Sequence, residues 1–322
     1  MSEWIVENLI QKVLSGNSIT KEEAINLYTQ PLEELCEQAD RIRRYFCENR
    51  FDLCTIINGK SGGCSENCKF CAQSAHNCTD SARYPLLSTE EIVAQAKVNH
   101  EQGVLRYSIV TSGKRLSDTE VDQMCEAVKR IRGEVGISVC ISFGLLSETQ
   151  YRKLKEAGVT RVHNNLETSR RYFPYVCTTH TYEDKIAAIR AAQAAGLSVC
   201  SGGIMGLGET PEDRIDMALE LRALGIKSIP VNLLNPIPGT PFERNNKLSE
   251  TDMRRIVAVY RFILPDASIR LAGGRGLLED KGRSCFLSGA NAAISGDMLT
   301  TAGITVKTDL ELLNQLGYEA KI

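Results

Sequence analysis

Cys64, Cys68 and Cys71 stand in the segment CSENCKFC, a CxxxCxxC arrangement. Spacings of four and three let one loop fold three thiolates around a single centre, and three ligands leave one iron of a 4Fe-4S cube without a protein ligand. Such an open iron can chelate a substrate. A structural zinc site with Cys78 as fourth ligand is the competing chemistry, and a chance grouping of core thiols is the third reading. The chain holds 12 cysteines among its 322 residues. A reducing cytosol disfavours a disulfide framework at this size, which leaves metal ligands and buried thiols.

The thiols need a scaffold, and the sequence offers a repeating one. Short runs rich in β-branched and apolar residues recur about every 30 residues: LCTII (53–57), VLRYSIV (104–110), VGISVCISF (135–143), VTRVHNNLE (159–167), LSVCSGGI (197–204), IKSIPVNLL (226–234), ASIRLAG (267–273) and ANAAISG (291–297). Between them lie stretches of helical period, with start signals at Ser88, Ser117, Thr210 followed by Pro211, and Ser249. Eight β-then-α units in series predict an α/β fold, a parallel (β/α)8 TIM-type barrel, ahead of a doubly wound open sheet. The CxxxCxxC motif then follows the first strand. Residues 1–50 stand outside the repeat. Thr20 to Glu23 form a capping box before an amphipathic helix, so this segment is read as an N-terminal helical extension covering one end of the barrel. Residues 51–322 are the barrel with its C-terminal tail.

Side chains alternate across a strand. In VGISVCISF, Ile137, Val139 and Ile141 oppose Ser138, Cys140 and Ser142; in LSVCS, Leu197 and Val199 oppose Ser198 and Cys200. If the apolar parity faces the helices, the other lines the barrel and carries Ser108, Cys140, His163, Asn165, Glu167, Cys200, Asn232 and Arg270. Such barrels normally fill with Val, Ile and Leu, and polar groups buried without partners are costly. The lumen is therefore read as a ligand cavity. Most of these residues fall late in their strands, at the end where barrels of this kind hold active sites.

Charge excludes other roles. With 38 Lys+Arg against 40 Asp+Glu and a formal net charge of −2, the chain has no field to draw it onto nucleic acid or an anionic membrane. Its opening, MSEWIVENLI, lacks the basic and long apolar regions of a secretory signal, and no run approaches the ~18 apolar residues of a membrane span. A soluble cytoplasmic protein is expected.

The CxxxCxxC motif after the first strand resembles the radical S-adenosylmethionine enzymes, and further segments narrow the resemblance to the biotin synthase family. These are CSENCKFCAQSAH (64–76), HNNLETS (163–169), CTTHTYEDK (177–185), VCSGGIMGLGET (199–210), NLLNPIPGTP (232–241), RLAGGR (270–275) and SGANAAISGDMLTT (288–301). The resemblance implies that Cys64, Cys68 and Cys71 hold a 4Fe-4S cluster whose free iron binds S-adenosylmethionine. Reductive cleavage of that sulfonium would give a 5′-deoxyadenosyl radical, which in the family attacks dethiobiotin so that sulfur is inserted and biotin forms. By the same resemblance Phe70 meets the adenine through its backbone, and Asn165 and Glu167 lie near the ribose hydroxyls and the substrate ureido group. Lys185 lies near the methionyl carboxylate, and Gly202, Gly203 and Ile204 near the methionine moiety. Asn232 matches a ureido contact, and Thr300 and Thr301 match the place where the substrate carboxylate is held. Glu167 is one methylene longer than the Asp common at its position, and Lys185 replaces the bidentate fork of an Arg by a point charge. Gly206 to Glu209 are read as a strand-to-helix turn, since GLGE lacks the full dinucleotide fingerprint.

The sequence departs from the family pattern at the sulfur source. The best-known members hold a second, 2Fe-2S cluster through three strand-borne cysteines and an arginine. Cys140, Cys200 and Arg270 match, but the second-strand position is Ser108, a harder and poorer partner for iron than thiolate. Either Ser108 binds, or another thiol is recruited, or the auxiliary cluster has a different nuclearity. The expectation is that Cys177, in the loop after the fourth strand, supplies the missing ligand to a 4Fe-type cluster. Cys78 and Cys285 compete with it, and an incidental loop thiol is the alternative; Cys36, Cys47, Cys54 and Cys125 are read as ordinary buried thiols. The family further implies a flavodoxin or ferredoxin-type reductant and a homodimer. The alternative functions are a radical S-adenosylmethionine enzyme of the hydrogenase maturase or methylornithine synthase type, and a non-catalytic iron–sulfur or zinc protein.

Overall fold

A computed structural model describes residues 2–321. Three helices, α1 (Ser2–Leu14), α2 (Lys21–Tyr28) and α3 (Leu32–Cys47), precede β1 (Arg50–Lys60). There follow α4 (Thr89–Glu101), β2 (Arg106–Thr111), α5 (Asp118–Glu134), β3 (Ser138–Ser142), α6 (Glu148–Ala157), β4 (Arg161–His163), α7 (Tyr182–Ala194), β5 (Ser198–Cys200), β6 (Gly203–Met205) and α8 (Pro211–Ala223). The chain closes with β7 (Ser228–Leu233), α9 (Glu250–Ile263), β8 (Ser268–Leu271), α10 (Arg283–Phe286), β9 (Ala292–Ser295), α11 (Val306–Gln315) and β10 (Glu319–Ala320).

Helix starts follow from local chemistry. Thr20, Ser88, Ser117, Thr210 and Ser249 each accept the N3 amide while the N3 carboxylate returns to the cap, so two orphan donors are satisfied at every start. Ser147 and Thr181 cap α6 and α7 likewise, with the Gln150 carboxamide and the Asp184 carboxylate as the returning groups. The strands pair in the order β1-β2-β3-β4-β5-β7-β8-β9, and β9 pairs back onto β1, which closes a parallel barrel. The apolar parity, including Ile109, Val139, Ile141 and Val199, is buried beneath the helices, as the alternation requires.

Two details differ from the sequence pattern. The fifth run, 197–204, is broken into β5 and β6 at Ser201 and Gly202. Gly202 donates its amide to Asn165 Oδ1 (3.1 Å), and its carbonyl accepts from the Glu167 amide (3.0 Å). A Cβ at Gly202 would stand 1.9 Å from the Pro230 carbonyl oxygen, so only glycine lets the chain step against β7. The N-terminal helices also lie elsewhere than over an end. α3 packs along α9, and α2 against α8 and α9; Arg255 pins this layer by donating to the carbonyls of Tyr28 (2.9 Å) and Gln30 (2.7 Å). They cover one flank.

Candidate functional site

The eight side chains of lumenal parity all line one cavity of about 400 Å³, within the ordinary range for small-molecule sites. Its walls are formed by strands and by the loops that leave their C-terminal ends.

The upper wall carries Cys64, Cys68, Cys71 and Phe70, all on the loop after β1. That loop is fixed by its own main chain. The Cys64 amide donates to Gln73 (3.0 Å), the Ala75 amide donates to Cys64 (2.8 Å), and Asn77 Nδ2 donates to the carbonyls of Cys68 (3.2 Å) and Cys71 (2.9 Å). The segment after β4 clamps it from outside. Asn67 Oδ1 accepts the amides of Thr178 (2.9 Å) and Thr179 (3.2 Å), while Glu66 and His180 form a buried pair at 2.6 Å.

Cys177 belongs to this clamp. Its sulfur lies 3.3 Å from Asn67 Oδ1 and 3.4 Å from His180 Nδ1, and it stands in one cluster with Cys68 and His180. Cys177 is expected beside Cys140 and Cys200; the structure sets it by the CxxxCxxC loop instead, after the turn Phe173–Tyr175 whose Phe173 carbonyl accepts the Cys177 amide (3.1 Å), and it does not line the cavity with them. Cys78 is exposed, with its amide bonded to the Gly239 carbonyl (3.0 Å), and Cys285 is buried in α10. Neither lines the cavity.

The side wall holds Asn165, Glu167, Lys185, Ile204 and Asn232. Asn165 Nδ2 donates to Glu167 (3.3 Å), and Lys185 Nζ donates to Asn164 Oδ1 (3.2 Å). Burial pushes the Glu167 carboxyl above the usual carboxylate range, against the pull of Lys185 and His163. Asn232 is braced at both ends, donating to the Gly203 carbonyl (3.0 Å) and accepting from the Gly273 amide (2.8 Å). Gly202 and Gly203 are buried behind this wall rather than on it. Thr300 and Thr301 line the rim beside Met298.

At the floor, Ser108 on β2 is the register partner of Cys140 on β3, and Cys200 and Arg270 face the same space from β5 and β8. Burial raises the Cys140 thiol to about 11. Burial would raise Cys200 too, but His163 and the guanidinium groups of Arg270 and Arg161 bring it down to about 6. The residue that sequence reasoning misplaced is Cys54 on β1, which lines this floor with its sulfur 3.1 Å from Arg270 Nη1. Alternation within LCTII, which puts Cys54 on the face of the lumenal Ile56, is the signal that would have found it. Asp52, Arg106 and Arg161 were also unforeseen. Asp52 is buried with Arg161 at 2.9 Å, Arg270 at 2.7 Å and Arg106 at 3.9 Å.

A closed parallel barrel with three thiols of one loop lining the mouth of a polar lumen is the arrangement of the radical S-adenosylmethionine class. Residues 58–221 match the Radical SAM superfamily, and residues 230–319 match the Biotin and Thiamin Synthesis associated domain. Across its length the chain is 61% identical to a biotin synthase of Brachyspira hyodysenteriae, covering 99% of this chain and 96% of that one. It is 59% identical to a biotin synthase of Akkermansia muciniphila over 99% of both. The chain belongs to the biotin synthase family. Among solved structures, a methylornithine synthase superposes with a TM-score of 0.84 at 22% identity, covering 98% of this chain and 97% of that one. An FeFe-hydrogenase maturase from Carboxydothermus hydrogenoformans does so with a TM-score of 0.81 at 20% identity, over 97% and 78%. These two share the fold.

The family implies two iron–sulfur clusters and S-adenosylmethionine, and the donor sets fit. Three free thiols of one loop line one wall of the cavity, the donor number that a 4Fe-4S centre with an open iron requires. The floor offers further soft sulfur donors beside three guanidinium groups and one carboxylate, an environment suited to an anionic cluster.

Proposed function

We propose that this cavity inserts sulfur into dethiobiotin to form biotin. Cys64, Cys68 and Cys71 would hold the 4Fe-4S cluster and Cys140, Cys200 and Arg270 the auxiliary cluster. The observation that carries the reading is that both sets open on one cavity, so a substrate between them faces each. When bound, these groups and S-adenosylmethionine supply a carbon radical able to take hydrogen from an unactivated C–H bond, and the sulfur that replaces it.

The chain's own part is positioning. Lys185 supplies a cation for the methionyl carboxylate; Phe70 and Ile204 offer apolar surface to the adenosyl and methionine parts. Asn165 and Glu167 orient the ribose and the ureido group. Asn232, held by Gly203 and Gly273, presents its amide edge to the ureido group without rotating. Thr300 and Thr301 hold the substrate carboxylate at the rim, and Gly202 and Gly203 let β6 approach closely enough to build the wall. Residues 1–50 serve as a helical extension and 51–322 as the catalytic barrel; Met1 and Ile322 lie outside the described residues. Electrons would come from a flavodoxin or ferredoxin, and the working form would be a cytoplasmic homodimer. Among the described residues no helix is long and apolar enough to cross a membrane.

Anaerobic incubation with S-adenosylmethionine, a reductant and dethiobiotin tests the reading. It predicts biotin together with 5′-deoxyadenosine. Cleavage of S-adenosylmethionine without biotin would transfer the assignment to another enzyme of the class, and no cleavage would reject the class.

A further inference from the structure

The floor of the cavity has an imbalance that its visible partners do not resolve. Arg106, Arg161 and Arg270 surround the single carboxylate of Asp52; Asp52, Arg106 and Arg270 are buried and Arg161 is partly buried. Three guanidinium groups, two of them buried, gathered on one carboxylate is an expensive arrangement unless a further anion completes it. Arg270 is 1% exposed. Its Nη2 stands 2.7 Å from Asp52 yet makes no aligned hydrogen bond, and Asp52 Oδ1 and the Nε atoms of Arg106 and Arg161 are likewise without partners. The other guanidinium nitrogen, Nη1, is held by the carbonyls of Asp52 (2.8 Å) and Ala293 (3.0 Å) and donates to the sulfur of Cys54 at 3.1 Å. Cys54 sulfur is thus fixed from two sides, by the Arg270 guanidinium and by the Ala293 carbonyl at 3.6 Å.

Cys54 also stands where a ligand is missing. β1 is the neighbour of β2, and Cys54 is offset by one lumenal position from Ile56, the register partner of Ser108. Cys54, Cys140 and Cys200 line the same space with Arg270. We propose that Cys54, in place of Ser108, is the third cysteine ligand of the auxiliary cluster, and that the surplus guanidinium charge of Arg106 and Arg161 balances that cluster. The inference rests on the reading that Cys140, Cys200 and Arg270 hold such a cluster. It exchanges a hard oxygen for a soft sulfur and shifts the cluster toward β1. No thiol from the Cys177 clamp is required.

The test is Mössbauer spectroscopy with iron and sulfide counting on full-length, anaerobically reconstituted holoenzyme. Cys54→Ala is expected to lose the auxiliary signal while the cluster of Cys64, Cys68 and Cys71 keeps its response to S-adenosylmethionine. Ser108→Ala and Cys177→Ala are expected to retain the auxiliary signal. Cys54→Ser together with Ser108→Cys should restore a signal altered in its parameters, because the thiolate returns from the neighbouring strand. If Cys54→Ala loses both clusters through misfolding, Cys54→Ser decides: loss of the second signal alone supports the proposal, and an unchanged one overturns it. An unchanged auxiliary signal in Cys54→Ala, or its loss in Ser108→Ala, overturns it as well. A native holoenzyme with no second signal would instead defeat the underlying reading.

Discussion

Gly202 has no room for a side chain, and this single position sets how β6 meets the wall. An added Cβ would strike the Pro230 carbonyl at 1.9 Å, so Gly202→Ala is expected to destabilise by about 3 kcal/mol or more. Urea unfolding measures this, and a midpoint equal to the native protein's would refute it. Lys185 tests the proposed binding mode differently. Its ammonium is the cation nearest the carboxamide of Asn164 on the side wall. Lys185→Ala should weaken S-adenosylmethionine binding by roughly tenfold to a hundredfold, and Lys185→Arg should keep most of it; equilibrium dialysis on the holoenzyme reads both. Much of the site was legible at this scale. CxxxCxxC is a local signal, and strand alternation marked Cys140, Cys200 and Arg270. The role of Cys177 was not legible, because loop direction after β4 is set by the Phe173 turn and by Asn67, which share no spacing pattern with it.

Among elements, the start of α8 carries the clearest pH signature. Asp213 at its N3 position binds Thr210, Ser169 and Arg171. Burial would raise its carboxyl, but Arg171, Ser169 and the cap lower it to about 2, below the usual 3.8. A carboxylate depressed on folding stabilises the native state above its ordinary value, and the effect fades as pH falls through the depressed one. Asp213→Asn should therefore cost on the order of 2 kcal/mol above about pH 4, with the gap to the native protein closing toward about pH 2. A gap independent of pH, measured by urea unfolding of the apoprotein, would contradict this. The clamp over the cysteine loop is the second element to probe. Asn67→Ala removes the acceptor of two amides and should lower the iron retained by the first cluster during gel filtration; full retention would show the loop to be self-sufficient. Helix starts could be read from sequence because capping boxes are local. The break between β5 and β6 could not, since it depends on Pro230 approaching from β7.

At the scale of the molecule, the barrel brings sulfur and charge from distant parts of the chain into one lumen. Loop thiols occupy the mouth, and strand thiols stand over a buried arginine cluster at the floor. Eight β/α units announced this architecture through periodicity alone. The arginine cluster was hidden because Asp52, Arg106 and Arg161 meet only when β1, β2 and β4 close around the axis. The most direct measurement of the whole account uses enzyme whose clusters are rebuilt with heavy-isotope sulfide, allowed a single turnover with unlabelled dethiobiotin and S-adenosylmethionine under anaerobic conditions. Mass spectrometry of the product should find the heavy isotope in biotin, and Cys140→Ala/Cys200→Ala enzyme should cleave S-adenosylmethionine without making biotin. Biotin free of the label, or formed undiminished by the double variant, would contradict a sulfur-donating centre at the barrel floor.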